Sequence, residues 1–210
     1  MFLHFTEDSY EKALIGLFQE MGYEYAYGPD IERNYQEPYY LAQVWASLPI
    51  VNPSKDQNAI AEAVKKLTNI DSGDISEKNS VFMDYLQNGI PVAYHDGKEV
   101  RHDIVYLIDY EKPHRNTFQI INQWTYVEKS EKRADLIVFV NGLPLVLIEL
   151  KSPSREETDA SAAYRQIRNY MFEIPSMFTY NAFCVMSDML CSKAGTITSS
   201  EDRFMEWKTK

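Results

Sequence analysis

Two apolar runs, Ala134 to Val140 and Leu145 to Lys151, face each other across Asn141-Gly142, and this arrangement constrains the fold more than anything else in the 210 residues. Asn-Gly between β-rich runs is a hairpin signal, because both positions of the favoured two-residue turn need a left-handed backbone. Asp135 stands near the start of the first run, and Glu149 and Lys151 close the second. Strand side chains alternate, so Glu149 and Lys151 share a face while Leu150 points the other way. Whether Asp135 joins them depends on the turn. A strict two-residue turn pairs Val140 with Leu143, and counting outward sets Asp135 opposite Ile148 and Glu149 opposite Ala134, leaving the two acids on opposite faces. A three-residue connection, or a bulge with Gly142 left-handed, restores the parity. An odd loop or bulge near Asn141 to Pro144 is therefore expected.

Carboxylates fixed on strands, with a lysine two residues from one of them, suit phosphodiester hydrolysis. Hard Mg²⁺, with Mn²⁺ as a substitute, takes oxygen ligands and polarises a phosphate. Asp135 and Glu149 are the candidate metal ligands, and Asp135, Glu149 and Lys151 the candidate catalytic set. The plain alternative is that these are strand-end charges facing water, as most Asp and Glu residues do. Against it, Glu149 follows the apolar run Leu145 to Ile148 and emerges where a buried strand meets solvent.

Upstream, Leu14, Ile15, Leu17, Phe18 and Met21 recur at helical spacing and Gly22 follows, so a first helix is predicted from Glu7 to Met21. Glu7 and Glu11 lie one turn apart on it, and Glu11, further inside the helix, is the better candidate to support the acid pair. Further helical stretches are expected around Ala59 to Leu67 and Val81 to Leu86. After Gly89-Ile90-Pro91 the texture turns to β, with strands expected over Ile104 to Tyr110, Thr117 to Val127 and the two hairpin runs, and another over Asn181 to Met186. Between them, a helix of about five turns is predicted from Ser154 towards Pro175. Gln166 and Tyr170 share one face of it and are supporting candidates, while Arg165 and Arg168, with Arg155, supply local positive charge for DNA or simply form a solvated face. The whole reads as one α/β domain over 1–210: a mainly helical elaboration over 1–90 that includes the first core helix, a core over 91–190, and the start of a connection over 191–210.

The net charge of -10 argues against holding nucleic acid by bulk electrostatics. No apolar run approaches a membrane helix and the N-terminus lacks a signal pattern, so no membrane is involved and the cytoplasm is the expected location. Cys184 and Cys191 are expected as reduced thiols, with no histidine at zinc spacing.

With strand, Asp, hairpin, Glu-Leu-Lys and the Gln166/Tyr170 helix in order, the chain resembles the PD-(D/E)XK nuclease superfamily, and most closely the N-terminal nuclease domain of the R (restriction) subunit of Type I restriction enzymes. The resemblance rests on Arg133 to Pro153, on Gln166-Ile167-Arg168-Asn169-Tyr170 as a Q-x-x-x-Y motif, and on Asn116 to Trp124 and Gly195 to Thr209. Ala134 stands where the superfamily name has Pro, which is not a ligand. The resemblance implies a restriction-endonuclease-like α/β core, a mixed sheet flanked by helices with an N-terminal helical elaboration. It also implies Mg²⁺ on Asp135 and Glu149, Lys151 activating water, and support from Gln166 and Tyr170. The implied activity is that of a Type I site-specific deoxyribonuclease on double-stranded DNA, with methylation and specificity subunits as partners. Such subunits also carry an ATP-driven motor, yet no G-x-x-x-x-G-K-[ST] stretch occurs here, so ATP belongs to domains outside this chain. The C-terminus, without a turn signal, favours a truncated chain. The alternatives are a standalone repair or recombination nuclease of the same superfamily, and a catalytically silent module that docks DNA or subunits.

Overall fold

In the computed structural model, which describes residues 6–71, 73–151, 160–188 and 191–206, local signals place most helices. Helix α1 (Glu7–Glu20) begins at Thr6, whose side chain and that of Ser9 cap each other's backbone N–H. It ends before Gly22, which takes φ +91°. Helices α2 (Leu41–Val51), α3 (Gln57–Thr68) and α4 (Ile75–Asn88) follow, the last opened by a reciprocal Asp74/Glu77 cap. Strand β1 (Glu24–Tyr27) lies between α1 and α2.

Strands β2 (Ile90–His95) and β3 (Val100–Val105) form a separate antiparallel pair. The strand expected over Ile104 to Tyr110 therefore lies elsewhere: β3 stops at Val105. Asn52 is the reason, since its side chain bonds both the N–H and the C=O of Tyr106, at 2.9 and 2.8 Å, and withdraws that backbone from any ladder.

The core is a sheet in which β4 (Phe118–Val127), β5 (Glu131–Val140), β6 (Leu143–Leu150), β7 (Phe183–Ser187), β8 (Ser192–Gly195) and β9 (Met205–Glu206) join β1. Its order is β1-β4-β5-β6-β7-β8-β9. The β1–β4 and β6–β7 pairs are parallel and the others antiparallel. The first 90 residues are mainly helical and also supply β1, an edge strand of the main sheet. Helices α5 (Ala160–Glu173) and α6 (Pro175–Phe178) cover one face over Ile121, Trp124, Ile137 and Phe139, while α1 covers the other over Ile120, Leu136 and Ile148. The α5 start expected at Ser154 falls outside the described residues. A third cluster joins α2, α3, α4 and the β2–β3 pair to the hairpin end of the sheet. No described helix is long and apolar enough to cross a membrane, and Cys184 and Cys191 are both free thiols.

The hairpin fixes the parity question. Val140 pairs with Leu143 across a two-residue turn with Asn141 at φ +53° and Gly142 at φ +81°, the geometry that matches strand twist. A three-residue connection is excluded. Register then shifts: Phe139 pairs with Pro144 but Val138 with Val146, so Leu145, next to Pro144, is an inserted residue, a bulge near the turn as expected. Gly142 is required twice over, since a Cβ there would lie 2.6 Å from the Tyr40 carbonyl oxygen and 2.7 Å from the Val44 nitrogen. Asn141, fully buried, accepts from the Thr117 N–H at 2.8 Å and donates to the Leu107 carbonyl at 2.8 Å.

Candidate active site

The inserted Leu145 brings Asp135 into line with Glu149, and there the strands part. Backbone pairing between β5 and β6 runs only to Leu136 with Ile148. Beyond it the Asp135 carboxylate takes the place of a backbone acceptor, receiving the Leu150 N–H at 2.9 Å. Glu149, 2% exposed, accepts from the Lys151 ammonium at 2.7 Å through Oε1. Its Oε2 is buried with no hydrogen-bond partner among the described residues. The Lys151 N–H is held by the Ser187 carbonyl on β7 at 2.9 Å, which continues the sheet one residue past β6.

These carboxyls repel ionisation. Burial first, then the Asp135 charge, pushes Glu149 up to about 8 against the pull of Lys151. Burial likewise lifts Asp135 to about 6, opposed by the Leu150 N–H and Lys151 and reinforced by Glu7 and Glu11. Burial works against the charge on Lys151, but Glu149 and Asp135 outweigh it and hold its pKa above the usual lysine range. Without a further cation, the acid pair shares protons near neutral pH.

The supporting candidates separate. Tyr170 is buried on α5 and donates its hydroxyl to the Arg133 carbonyl at 3.0 Å, bracing β5 two residues before Asp135. Burial raises its pKa and the charge of Glu149 adds to this, while Gln166, partly buried one turn earlier on α5, opposes it. Arg168 reaches the Ile197 carbonyl at 3.2 Å, in the loop after β8, and so ties down that loop. Arg165 is exposed. Both arginines thus belong to the outer surface of α5, because the helix gives Ala163, Ile167 and Tyr170 to the sheet.

Across the sheet, Glu11 accepts from Asn122 Nδ2 at 2.6 Å and from Gln123 Nε2 at 3.0 Å. Glu7, Glu11 and Asp135 line one open cleft of about 670 Å³, whose other walls include Tyr25, Tyr27 and Arg133. Asn122 and Gln123 can bond the same carboxylate because Gln123 has φ +55°. That left-handed residue breaks the alternation of β4, so Ile121 and Trp124 both face the α5 side. A non-glycine residue in this conformation costs on the order of 1–3 kcal/mol and tends to mark functional sites. Gly28 fits against the distortion, where a Cβ would lie 2.7 Å from the Asn122 carbonyl oxygen. Sequence reasoning does not single out Asn122 and Gln123 as site residues; the available signal is two consecutive polar residues between the apolar pair Ile120-Ile121 and Trp124.

Among the described residues, no group of three or more His, Cys, Asp or Glu side chains is placed to hold a metal ion. The donor set on offer is the pair Asp135 and Glu149, with Lys151 beside it.

A mixed sheet flanked by helices, splayed between two central strands to set a buried acid pair against a lysine, defines an α/β protein compatible with a nuclease-like fold. The chain belongs to the family described as the Type I restriction enzyme R protein N terminus, whose model matches residues 4–203. It is 32% identical over 213 residues to the Type I restriction enzyme HindI endonuclease subunit of Haemophilus influenzae, an alignment covering 97% of this chain and 20% of that protein. It is also 32% identical over 208 residues to the putative Type I restriction enzyme MjaIXP endonuclease subunit of Methanocaldococcus jannaschii, covering 94% of this chain and 20% of the relative. The chain thus spans about a fifth of the length of these relatives.

Proposed function

We propose that the chain is a Mg²⁺-dependent DNA-cleaving domain with a PD-(D/E)XK active site, serving within a Type I restriction enzyme R subunit. The observation that carries this reading is the buried Glu149 carboxylate, with one oxygen on Lys151 and the other without a partner among the described residues, beside a second carboxylate. Buried polar atoms are almost always satisfied, and an orphaned carboxylate oxygen is an acceptor awaiting a donor or a cation. Two carboxylates fit Mg²⁺, which keeps several waters and commonly binds through one or two acids together with substrate phosphates.

Asp135 and Glu149 would hold the ion, which when bound polarises a phosphate oxygen and favours hydroxide at neutral pH. The protein's own groups do the rest. Asp135 is fixed by the Leu150 N–H, so its orientation is set before any ligand arrives. Lys151 presents a charged donor from a position held by Ser187 and Glu149, where negative charge develops on the phosphate. Tyr170 braces the strand that carries Asp135. The relatives carry the name endonuclease subunit. On this reading an ATP-driven motor and the methylation and specificity subunits, outside this chain, bring double-stranded DNA to a site that a net charge of -10 leaves poor at capturing it.

Calorimetric titration with Mn²⁺ and Mg²⁺, and DNA nicking by the full-length subunit, compare wild type with Asp135→Ala and Lys151→Ala. The proposal expects metal binding lost in Asp135→Ala and nicking lost in both. Undiminished nicking by both variants ends it.

A further inference from the structure

Lys151 stands where the sheet has lost one of its two sides. Backbone pairing between β5 and β6 ends at Leu136 with Ile148. The end of β6 therefore hangs on β7, through Glu149 with Met186, Leu150 with Ser187, and the Lys151 N–H on the Ser187 carbonyl at 2.9 Å. Ser187 is itself the last residue of β7, and its pairing with Ser192 is the end of the short β7–β8 ladder. Ladder ends open most readily, since few contacts hold the final pair. The residue that carries Lys151 thus depends on a further tie.

Side chains supply it. The Ser187 hydroxyl, on a residue 2% exposed, shares one hydrogen bond of 2.7 Å with the Tyr10 hydroxyl and another of 2.7 Å with that of Ser192. A serine hydroxyl donates once and accepts twice, so both bonds form together. Three hydroxyls thereby join α1, β7 and β8 at the point from which Lys151 hangs. Tyr10 lies on α1 between Glu7 and Glu11 and packs against the cluster that contains the fully buried Leu150. We propose that Tyr10, Ser187 and Ser192 are positioning residues for Lys151, their linked hydroxyls fixing the Ser187 carbonyl and, through it, the backbone from which the ammonium is aimed. This inference rests on the nuclease reading and names the groups that keep its lysine in place. The candidate metal ligands keep supports of their own, Asp135 on the Leu150 N–H and Glu149 on the pairing with Met186. Loosening the hydroxyl chain therefore displaces the lysine before it displaces the acids, and small displacements of a catalytic group are costly in rate.

Amide hydrogen exchange of the 210-residue chain, followed by NMR, reads the first link. Tyr10→Phe, Ser187→Ala and Ser192→Ala should each speed exchange of the Lys151 N–H about fivefold, the worth of one hydrogen bond, and leave the Leu150 N–H, held by Asp135, unchanged. A general loss of stability would speed both alike. Ser192→Thr, which keeps the hydroxyl, should exchange as wild type. In the full-length subunit, Tyr10→Phe and Ser187→Ala should lower kcat for nicking of duplex DNA about tenfold, with KM for DNA and Mn²⁺ affinity unchanged. Should Ser187→Ala fail to fold, Tyr10→Phe and Ser192→Ala, both at partly exposed side chains, carry the comparison. Equal acceleration at Leu150 and Lys151, no acceleration at Lys151, or an unchanged kcat would each overturn the assignment. The two readings fail separately. Full activity of Tyr10→Phe and Ser187→Ala in an enzyme that Lys151→Ala silences removes the positioning role alone, and undiminished nicking by Asp135→Ala and Lys151→Ala removes the active site whatever the exchange rates.

Discussion

Replacing Glu149 by glutamine should stabilise the chain in the absence of divalent metal, by an amount that grows with pH. The carboxyl is buried beside Asp135 and moved from the ordinary 4.5 up to about 8. A raised acid pKa means that the native state keeps its proton where the unfolded chain has released it. The native state is therefore penalised progressively as pH rises from 4.5 towards 8, and the full stability is present only below 4.5. At 1.36 kcal/mol per tenfold, that span corresponds to about 4–5 kcal/mol. Glutamine keeps the shape and an acceptor for Lys151 but gives up a charged hydrogen bond, which offsets about 1 kcal/mol. The net gain at pH 8 is on the order of 3 kcal/mol, shrinking to about zero at pH 5. Urea unfolding in EDTA at both values, read as a midpoint change at constant slope, measures it. A variant no more stable than wild type at pH 8, or a difference that does not widen from pH 5 to pH 8, would refute the claim that Glu149 is a buried, charge-opposed acid.

Lys151→Met removes the cation that draws protons off Glu149, so the carboxyl should titrate above about 8; carboxyl NMR shifts against pH check the direction. Deleting Leu145 removes the inserted residue and returns Asp135 and Glu149 to opposite faces, so either the cooperative unfolding transition or all Mn²⁺ binding should disappear; a folded variant with unchanged Mn²⁺ affinity would contradict the parity argument. Gly142→Ala meets backbone at 2.6 and 2.7 Å with φ +81°, and should cost about 3 kcal/mol or more in urea titration. Tyr170→Phe loses the bond to the Arg133 carbonyl and should cost about 1–2 kcal/mol, a change in thermal midpoint of a few degrees.

By itself the sequence determined what depends on neighbours along the chain. The helical period and the cap at Thr6 give α1. Asn141-Gly142 gives the turn, because only such residues take two left-handed conformations in succession. The Glu-Leu-Lys spacing puts Glu149 and Lys151 together, and the family resemblance followed from that order. The sequence could pose the parity question but not decide it. Nothing local distinguishes Leu145 as an insertion; β5 on one side and β7 on the other fix where the ladder shifts. The same holds for Gln123, whose left-handed backbone is held by Gly28 against β4 and by Glu11 from a helix more than a hundred residues earlier. Charge alone makes Arg168 a candidate for a DNA contact, while its bond to the Ile197 carbonyl depends on how α5 packs. Tertiary structure decided these points because burial, register and charge proximity are set by pairs of residues far apart in the chain, whereas turns, caps and alternation are set within a few residues of one another.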